Sequence, residues 1–275
     1  FFQVSIFSLF IFFLFSILKK KQINILYLFL LLSPATISFT FFDPLAVGRK
    51  ENIFFLFYVI YLLYLLENRN LPSIKSFGYF FLGLFFVLIH EIFIFFSIFF
   101  IFSRFLYLKK IQLVSDIKKY IREFLLFLGS FFGVILLIFF SSKDPNLKII
   151  VCNKLINVGL TTEICKGALT EILFSKYIYS FASLGIKDYI LSNNYIKTYL
   201  FSILLFFVPF LIFLKNNTKP NTFKIIIFFN IVFIILMFSI FYVVNDWGRY
   251  LNILFVFNLI LVSYFFFRQK KFYCY

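Results

Sequence analysis

Long apolar runs recur from one end of the 275-residue chain to the other, and they restrict the folds that the chain can adopt. Hydrophobic residues make up 63% of the chain and charged residues only 14%, which is too little polar material to cover a water-soluble protein. In a bilayer, a run of about 20 apolar residues crosses the hydrocarbon as a helix that satisfies its own backbone hydrogen bonds. We therefore predict an all-α, polytopic transmembrane helical bundle, in which residues 1–275 form a single membrane domain and the lipid bilayer is the main partner.

Nine runs are candidates for membrane spans in this sequence. They cover residues 2–18, 23–42, 52–66, 76–89, 92–108, 124–141, 199–214, 225–244 and 250–267. Several are shorter than a perpendicular span requires, and short helices can end below the surface beside a cavity. We interpret the first run, which lacks a basic leader, as a span of a longer product and not as a signal peptide.

The stretch 77–102 has two interpretations: one long span with His90 and Glu91 at its middle, or two short spans that turn at these residues. Lys and Arg concentrate in short loops on the cytoplasmic side of a membrane. With two spans, nearly all basic residues of the short loops fall on one side, whereas one span removes the bias. We therefore predict the two-span hairpin, with the N-terminus outside and the C-terminus in the cytoplasm.

The net charge of +16 does not indicate a nucleic-acid-binding protein. Most basic residues lie in short loops between apolar runs, where they set the topology. The sequence has no phosphate-binding glycine loop and no Cys/His spacing of a metal site, and His90 followed by Glu91 lacks the second histidine of a zincin helix. We expect no metal, no cofactor and no nucleic-acid partner.

Residues 142–198 are too polar to span a membrane and too long for a simple connector, so we predict an extracytoplasmic loop. Within this loop, 161–174 and 183–200 have helical apolar spacing, which predicts short amphipathic helices over the outer mouth of the bundle. Cys152 and Cys165 both fall in this loop. Because disulfides persist outside the cytoplasm, a bridge between the two is an open alternative.

Two local patterns concern helix shape and packing. In the second span, Pro34 removes one backbone donor, and nearby hydroxyls can bond to the carbonyl that it frees. This pattern is typical of a kink, or of a tolerated proline without a role. Gly129 and Gly133 stand four residues apart, which predicts close approach of a neighbouring helix.

The predicted topology brings three polar groups to the outer face. They are Asp43, Arg49, Lys50 and Glu51; then His90 and Glu91; then Asp246, Trp247 and Arg249. Charges near the hydrocarbon are energetically unfavourable, so these groups require an explanation. Taken singly, each arginine fits an interfacial residue paired with its local acid, Arg249 with Asp246 and Arg49 with Asp43 or Glu51. Taken together, the groups favour a site for an anionic ligand.

The residue types suit a phosphorylated sugar. Arginines bind diphosphate in bidentate fashion and stabilise it as a leaving group, and Trp247 offers a flat face on which a sugar ring can stack. Glu91 or Asp246 can take the proton of an attacking hydroxyl, with His90 as base or proton relay. We predict His90, Glu91 and Asp246 as catalytic residues and Asp43, Arg49, Lys50, Trp247 and Arg249 as substrate-binding residues.

This layout resembles the O-antigen and exopolysaccharide polymerases of the Wzy and EpsG type, in its many spans, its large external loop and its outward-facing arginines. The turn at His90 and Glu91, followed by an aromatic-rich apolar run, is similar to the histidine-bearing helix turn of the EpsG group. The resemblance implies a bacterial inner-membrane polymerase or glycosyltransferase. Such an enzyme acts at the extracytoplasmic face on polyprenyl-diphosphate-linked glycan, beside other envelope glycan assembly proteins.

Two other functions fit a polytopic membrane protein. A transporter or flippase of lipid-linked or small anionic substrates needs polar residues along a path through the bilayer. The spans offer scattered candidates such as Asn230 and Asn258, and we expect no buried carboxylate among them. A non-catalytic membrane subunit of a larger complex has no need for an outer cluster of acid, histidine and arginine.

Overall fold

The computed structural model describes residues 2–18, 25–33, 36, 49–67, 77–110, 117–140, 147–159, 195–243 and 247–267. Within these ranges the chain forms helices and no strand, which confirms the all-α fold class. The helices are α1 (Phe2–Leu18), α2 (Ile25–Leu31), α3 (Asn52–Glu67), α4 (Phe77–Ile89), α5 (Phe93–Lys110), α6 (Ile121–Phe140), α7 (Leu147–Asn157), α8 (Tyr195–Asn217), α9 (Pro220–Val243) and α10 (Trp247–Phe267). A 3₁₀ turn, Ile117–Tyr120, leads into α6.

Three helical stretches are long and apolar enough to cross a membrane: Lys118–Phe140, Tyr199–Asn217 and Pro220–Met237. Shorter apolar helices account for further predicted spans, so the number of nine spans stays a prediction. Large apolar side chains also face outward, and Phe139 and Phe140 are 80% and 83% exposed. A surface of this kind is compatible with contact to lipid.

An aromatic core joins α3, α5 and α10. Phe257 of α10 packs against Tyr58 of α3, with 4.6 Å between ring centroids, and against Phe96 of α5 at 5.1 Å. The helix α1 adds to this core through Phe10, whose ring lies 5.6 Å from Phe55 of α3. Rings at these separations interact favourably beyond the area that they bury, so the many phenylalanines hold the helices together from within.

The predicted turn at His90 is confirmed, because α4 ends at Ile89 and α5 begins at Phe93. The contacts of the neighbouring helices show that the chain reverses there. Phe80 of α4 meets Gly129 of α6, and further along both helices Val87 meets Gly133. Helices α4 and α6 therefore run in the same direction, and α5 between them runs back.

Glycines allow α4 and α6 to touch through their backbones. A Cβ added at Gly129 would overlap the carbonyl oxygen of Phe80, and one added at Gly83 would overlap the carbonyl oxygen of Leu126. At Gly133 an added Cβ would meet only side-chain atoms, the nearest at 3.1 Å. The predicted close approach at Gly129 and Gly133 is confirmed, and Gly83 supplies the matching gap on the partner helix.

Helices α9 and α10 form an antiparallel pair. Asn258 Nδ2 of α10 donates to Asn230 Oδ1 of α9 at 2.8 Å, roughly midway along both helices. Along α5, Phe96 contacts Phe233 and Phe102 contacts Phe229, so α9 runs opposite to α5. The end of α9 and the start of α10 therefore lie where α5 begins. We call this end of the bundle the His90 end and the opposite one, where α6 begins, the Glu123 end.

The helix α2 ends inside the bundle, at a capped terminus. The Thr36 hydroxyl donates towards the carbonyl oxygens of Leu30, Leu31 and Ser33 at 2.7 to 3.1 Å. Asn252 of α10 in turn donates to the Thr36 carbonyl at 3.1 Å. The prediction that a nearby hydroxyl bonds to freed carbonyls is confirmed for Thr36, while Pro34 lies outside the described residues.

The predicted extracytoplasmic loop, 142–198, is described only at its two ends. Its first described element is α7, a helix that we did not predict. This helix ends at Asn157 and is followed by Gly159, which has a left-handed φ of 90°. The predicted helix 161–174 lies outside the described residues, and the end of 183–200 belongs to the long helix α8. Cys152 of α7 is disulfide-bonded, and its partner lies outside the described residues.

Candidate functional site

His90 is fixed by the backbone on both sides of the turn. Its N–H donates to the carbonyl oxygen of Phe86 at 3.0 Å, which extends the last turn of α4. Its own carbonyl accepts from the N–H of Phe93 at 3.0 Å, which opens α5. Both helices therefore fix the backbone of His90, and burial of the residue, which is only 5% exposed, restricts the imidazole.

The imidazole lies between two carboxylates. His90 Nε2 is 3.2 Å from Glu51 Oε1, and His90 Nδ1 is 3.2 Å from Glu91 Oε2. The two acids differ in environment, because the Glu51 side chain is 3% exposed and that of Glu91 is 56% exposed. Glu51 comes from the residue just before α3, so the cluster joins three helices and has one buried and one accessible acid.

The contacts favour an imidazolium at this position. Each ring nitrogen faces a carboxylate oxygen, and both contacts are attractive only when each nitrogen carries a proton. Neither contact has the alignment of a full hydrogen bond, so the attraction is chiefly between charges. Burial by itself lowers the pKa of His90, but the contacts with Glu51 and Glu91 raise it above its ordinary value of 6.5.

The contact with His90 also shifts the pKa of the exposed acid, Glu91. Partial burial would raise the pKa of Glu91, but the imidazolium of His90 and the nearby charge of Lys50 lower it to about 2. Glu91 is therefore ionised throughout the physiological range. The site holds an accessible carboxylate backed by a protonated imidazole.

Two predicted cations lie beside this cluster. Arg49 and Lys50 directly precede Glu51, and their carbonyl oxygens accept the N–H groups of Asn52 and Ile53 at 3.3 Å, which starts α3. The side chain of Lys50 is exposed, and that of Arg49 is half-buried. The structure thus brings His90 and Glu91 together with the segment that carries Arg49 and Lys50.

The other predicted site residues are only partly described. Asp43 and Asp246 lie outside the described residues, as do the side chains of Trp247 and Arg249. The helix α10 begins at Trp247, and its start lies at the His90 end of the bundle. The proposed roles of these four residues stay predictions.

In the ranges that the structure covers, no group of three His, Cys, Asp or Glu residues could hold a metal ion. The cluster at His90 shows the physical reason. Its two carboxylates contact opposite nitrogens of one ring, so their oxygens do not converge on a common point. A metal site requires ligands directed at one centre.

Sequence reasoning missed two acids. The sequence places Glu51 in the outer polar group and suggests it as an ion-pair partner of Arg49 but not as a site residue, and the structure makes it the buried partner of His90. The expectation that the spans hold no buried carboxylate was wrong, because α6 begins at Ile121 and includes Glu123, which is 2% exposed. Glu123 Oε1 accepts a hydrogen bond from the Tyr61 hydroxyl at 2.7 Å. The signal for Glu123 is its position directly after Arg122, in the first turn of α6, where acids are favoured.

The cluster of Glu51, His90 and Glu91 can hold and transfer a proton beside a bound polar ligand. Lys50, exposed next to it, can attract an anionic group of such a ligand. Compared with known proteins, the chain matches no family model, no curated protein and no solved structure.

Proposed function

We propose that this chain is a bacterial inner-membrane protein of envelope glycan assembly, a polymerase or glycosyltransferase that acts on polyprenyl-diphosphate-linked sugars at the extracytoplasmic face. The observation that carries the proposal is the imidazole of His90 between a buried acid, Glu51, and an exposed acid, Glu91. In catalytic sites, a buried carboxylate that fixes one nitrogen of a histidine leaves the other side of the ring for proton transfer. Glu51 takes this positioning role, Glu91 faces the substrate, and His90 relays the proton behind Glu91.

The reaction joins an acceptor hydroxyl to the anomeric carbon of a sugar. The hydroxyl oxygen attacks that carbon, the bond from carbon to the diphosphate oxygen breaks, and the polyprenyl diphosphate leaves with the electron pair. The proton of the hydroxyl passes to Glu91 and from there to neutral His90, or it passes to Asp246. The cluster must lose one proton before it can accept another, so the rate should rise as the pH passes the pKa of His90.

Cations stabilise the leaving diphosphate in this proposal. Lys50 is exposed beside Glu91, and Arg49 adjoins it in the chain. Arg249, near the start of α10, completes the set, with Trp247 as a stacking surface and Asp43 holding the cations in place. The support for this grouping is that α3 and α10 both begin at the His90 end of the bundle.

The orientation of the chain is part of the proposal. Helix α6 runs from the Glu123 end to the His90 end, and α7 with its disulfide-bonded Cys152 follows. Disulfides persist in oxidising compartments, which supports an extracytoplasmic position for the His90 end and for the loop 142–198. The N-terminus is then outside and the C-terminus in the cytoplasm.

The test is a comparison of single substitutions in cells that make the polymer. Glu91→Gln and His90→Gln should each lower polymer synthesis at least ~100-fold, with lipid-linked repeat units accumulating. Lys219→Gln is the matched control, because Lys219 is exposed and lies between α8 and α9, away from the cluster. Polymer of normal length and amount in both site variants, at equal protein levels in the membrane, would refute the proposal.

A transporter or flippase of lipid-linked or small anionic substrates is the second candidate. The buried carboxylate of Glu123 favours it, because ionisable residues inside a membrane bundle mark transport and proton pathways. Purified protein in vesicles that contain lipid-linked sugar separates the two functions. A flippase moves the sugar between leaflets without forming a glycosidic bond, a polymerase forms the bond, and a non-catalytic subunit does neither.

A further inference from the structure

We propose that Glu123, with Tyr61 and Arg104, forms a proton-binding site at the Glu123 end of the bundle, at which the carboxyl group takes up and releases a proton. The site lies at the opposite end of α3 from the cluster at His90, since Tyr61 follows Glu51 by nearly three helical turns. The proposal does not depend on glycan assembly. It concerns a group that plays no part in the reaction at His90.

The carboxyl group of Glu123 is enclosed and only half satisfied. The Tyr61 hydroxyl donates to Oε1 at 2.7 Å and also lies 3.3 Å from the carbonyl oxygen of Phe100. Oε2 is buried and has no hydrogen-bond partner among the residues that the structure describes. A buried charged oxygen in that state is strongly destabilising, whereas a proton on Oε2 removes the charge.

Among the described residues, Arg104 of α5 is one of two cations whose charge acts on Glu123. Its Nε donates to the carbonyl oxygen of Lys119 at 2.9 Å, and its guanidinium carbon lies 5.5 Å from the centre of the Tyr107 ring. The arginine is therefore engaged elsewhere while it still favours a negative charge on Glu123. It also disfavours a metal cation at the same place.

Among the described residues, the charged and titratable groups that act on Glu123 come from four helices and the 3₁₀ turn. They are Tyr61 of α3, Tyr79 of α4, Arg104 of α5, Tyr120 of the 3₁₀ turn and Arg122 of α6 itself. The two arginines and the first-turn position in α6 favour the ionised carboxylate. Burial and the unpartnered Oε2 favour the protonated acid. Because these effects oppose each other, neither form is fixed, and the proton can exchange.

Exchange implies a local rearrangement. With the proton on Oε2, Arg104 stays on the Lys119 carbonyl, as in the structure. When the proton leaves for water at this face, the carboxylate requires a new partner, and Arg104 can supply it by leaving Lys119. Proton binding at Glu123 is thereby linked to the contact between α5 and the 3₁₀ turn.

The first test uses the wild-type protein in detergent and dicyclohexylcarbodiimide, an apolar reagent that adds to protonated carboxyl groups. Peptide mass spectrometry should find the adduct on Glu123, with at least a tenfold loss of labelling as the pH is raised. Equal labelling at every pH would overturn proton exchange. If Na⁺ or K⁺ suppresses the labelling at constant pH, the site binds a metal cation, and the proposal that it binds a proton is wrong.

Infrared difference spectra measure the protonation of Glu123 without the reagent, which covers the case in which the reagent does not reach the site. A pH step should change the carbonyl band of a buried carboxylic acid, and Glu123→Gln should abolish that band. If wild-type protein shows neither the band nor the adduct, the proposal is wrong.

A matched pair of tyrosines tests the geometry. Tyr61→Phe removes the donor to the carboxylate, so labelling should persist to a higher pH than in wild-type protein. Tyr58→Phe is the control, because Tyr58 is equally buried on α3 but its hydroxyl pairs with Ser103 at 2.6 Å. An equal shift in both variants would overturn the role of Tyr61 and, with it, the proposed site.

Discussion

Glu51 Oε1 lies 3.2 Å from His90 Nε2 and joins the start of α3 to the turn between α4 and α5. Both residues are buried, at 2% and 5% exposure, so water contributes little to stabilising their charges. The chain has one histidine. A single imidazole signal therefore reports the state of the whole cluster.

The first prediction compares the two acids of the cluster. Glu51→Gln should lower the pKa of His90 more than Glu91→Gln does, because Glu91 is 56% exposed and water screens its charge. Removal of the buried partner should also lower the free energy of unfolding by about 3 kcal/mol. Nuclear magnetic resonance titration of protein labelled at histidine measures the pKa directly. Equal effects of the two substitutions would contradict the assigned difference in burial.

The second prediction concerns stability and pH. The raised pKa of His90 stabilises the fold below pH 6.5, its ordinary value, and this contribution is lost as the pH rises through the raised pKa. The pKa of Glu91, lowered from 4.5 to about 2, stabilises the fold above pH 4.5 and is lost as the pH falls towards 2. The cluster should contribute most between pH 4.5 and pH 6.5. Thermal unfolding in detergent should show this maximum in wild-type protein and a flatter profile in His90→Gln.

The third prediction ranks four glycines by the space around them. Gly129→Ala and Gly83→Ala should each destabilise the fold by about 1–3 kcal/mol, because the added methyl group meets backbone that cannot move aside. Gly133→Ala should be milder, since only side chains must shift. Gly78→Ala is the control: its methyl group enters open space and should stabilise α4 by about 0.5–1 kcal/mol. Thermal unfolding in one detergent gives the order, and a destabilised Gly78→Ala variant would refute this account.

The fourth prediction concerns the amide pair between α9 and α10. A double-mutant cycle with Asn230→Ala and Asn258→Ala should give a coupling of about 0.6 kcal/mol, which is typical of hydrogen bonds between helices in membrane proteins. The measurement is the unfolding free energy of both single variants and the double variant. Additive effects would show that the 2.8 Å contact contributes nothing.

The fifth prediction tests the proposed orientation. Glu91→Cys should react with a membrane-impermeant maleimide added outside intact cells, whereas Lys219→Cys should react only after the membrane is opened. Both positions are exposed in the structure and lie at opposite ends of the bundle. Peptide mass spectrometry separates these adducts from those of the native cysteines. The reverse pattern would place His90 in the cytoplasm and end the glycan proposal.

The all-α fold class and the turn at His90 could be predicted from the sequence, because both depend on patterns within short stretches of the chain. Apolar runs and loop charges are local, and the distribution of basic residues distinguished two helices from one. The spacing of Gly129 and Gly133 likewise predicted a close helix contact, which the structure shows against α4.

The partners of the polar groups could not be found in this way. Glu51 and His90 meet only because α3 and α5 run side by side, and no local pattern in either helix specifies that arrangement. Glu123 was counted with the loop charges because the apolar run begins after it, yet α6 begins earlier and buries it against Tyr61. Apolar periodicity locates helices, whereas their polar contacts depend on the packing of helices distant in the sequence.

The backbone contact between α4 and α6 also affects how the chain is made. Gly83 is synthesised before the helix that packs against it, because α5 lies between α4 and α6 in the chain. Until translation passes Gly129, no α6 backbone is present to fill the gap at Gly83. A chain arrested between α5 and α6 therefore exposes helix backbone at Gly83 that the complete protein buries.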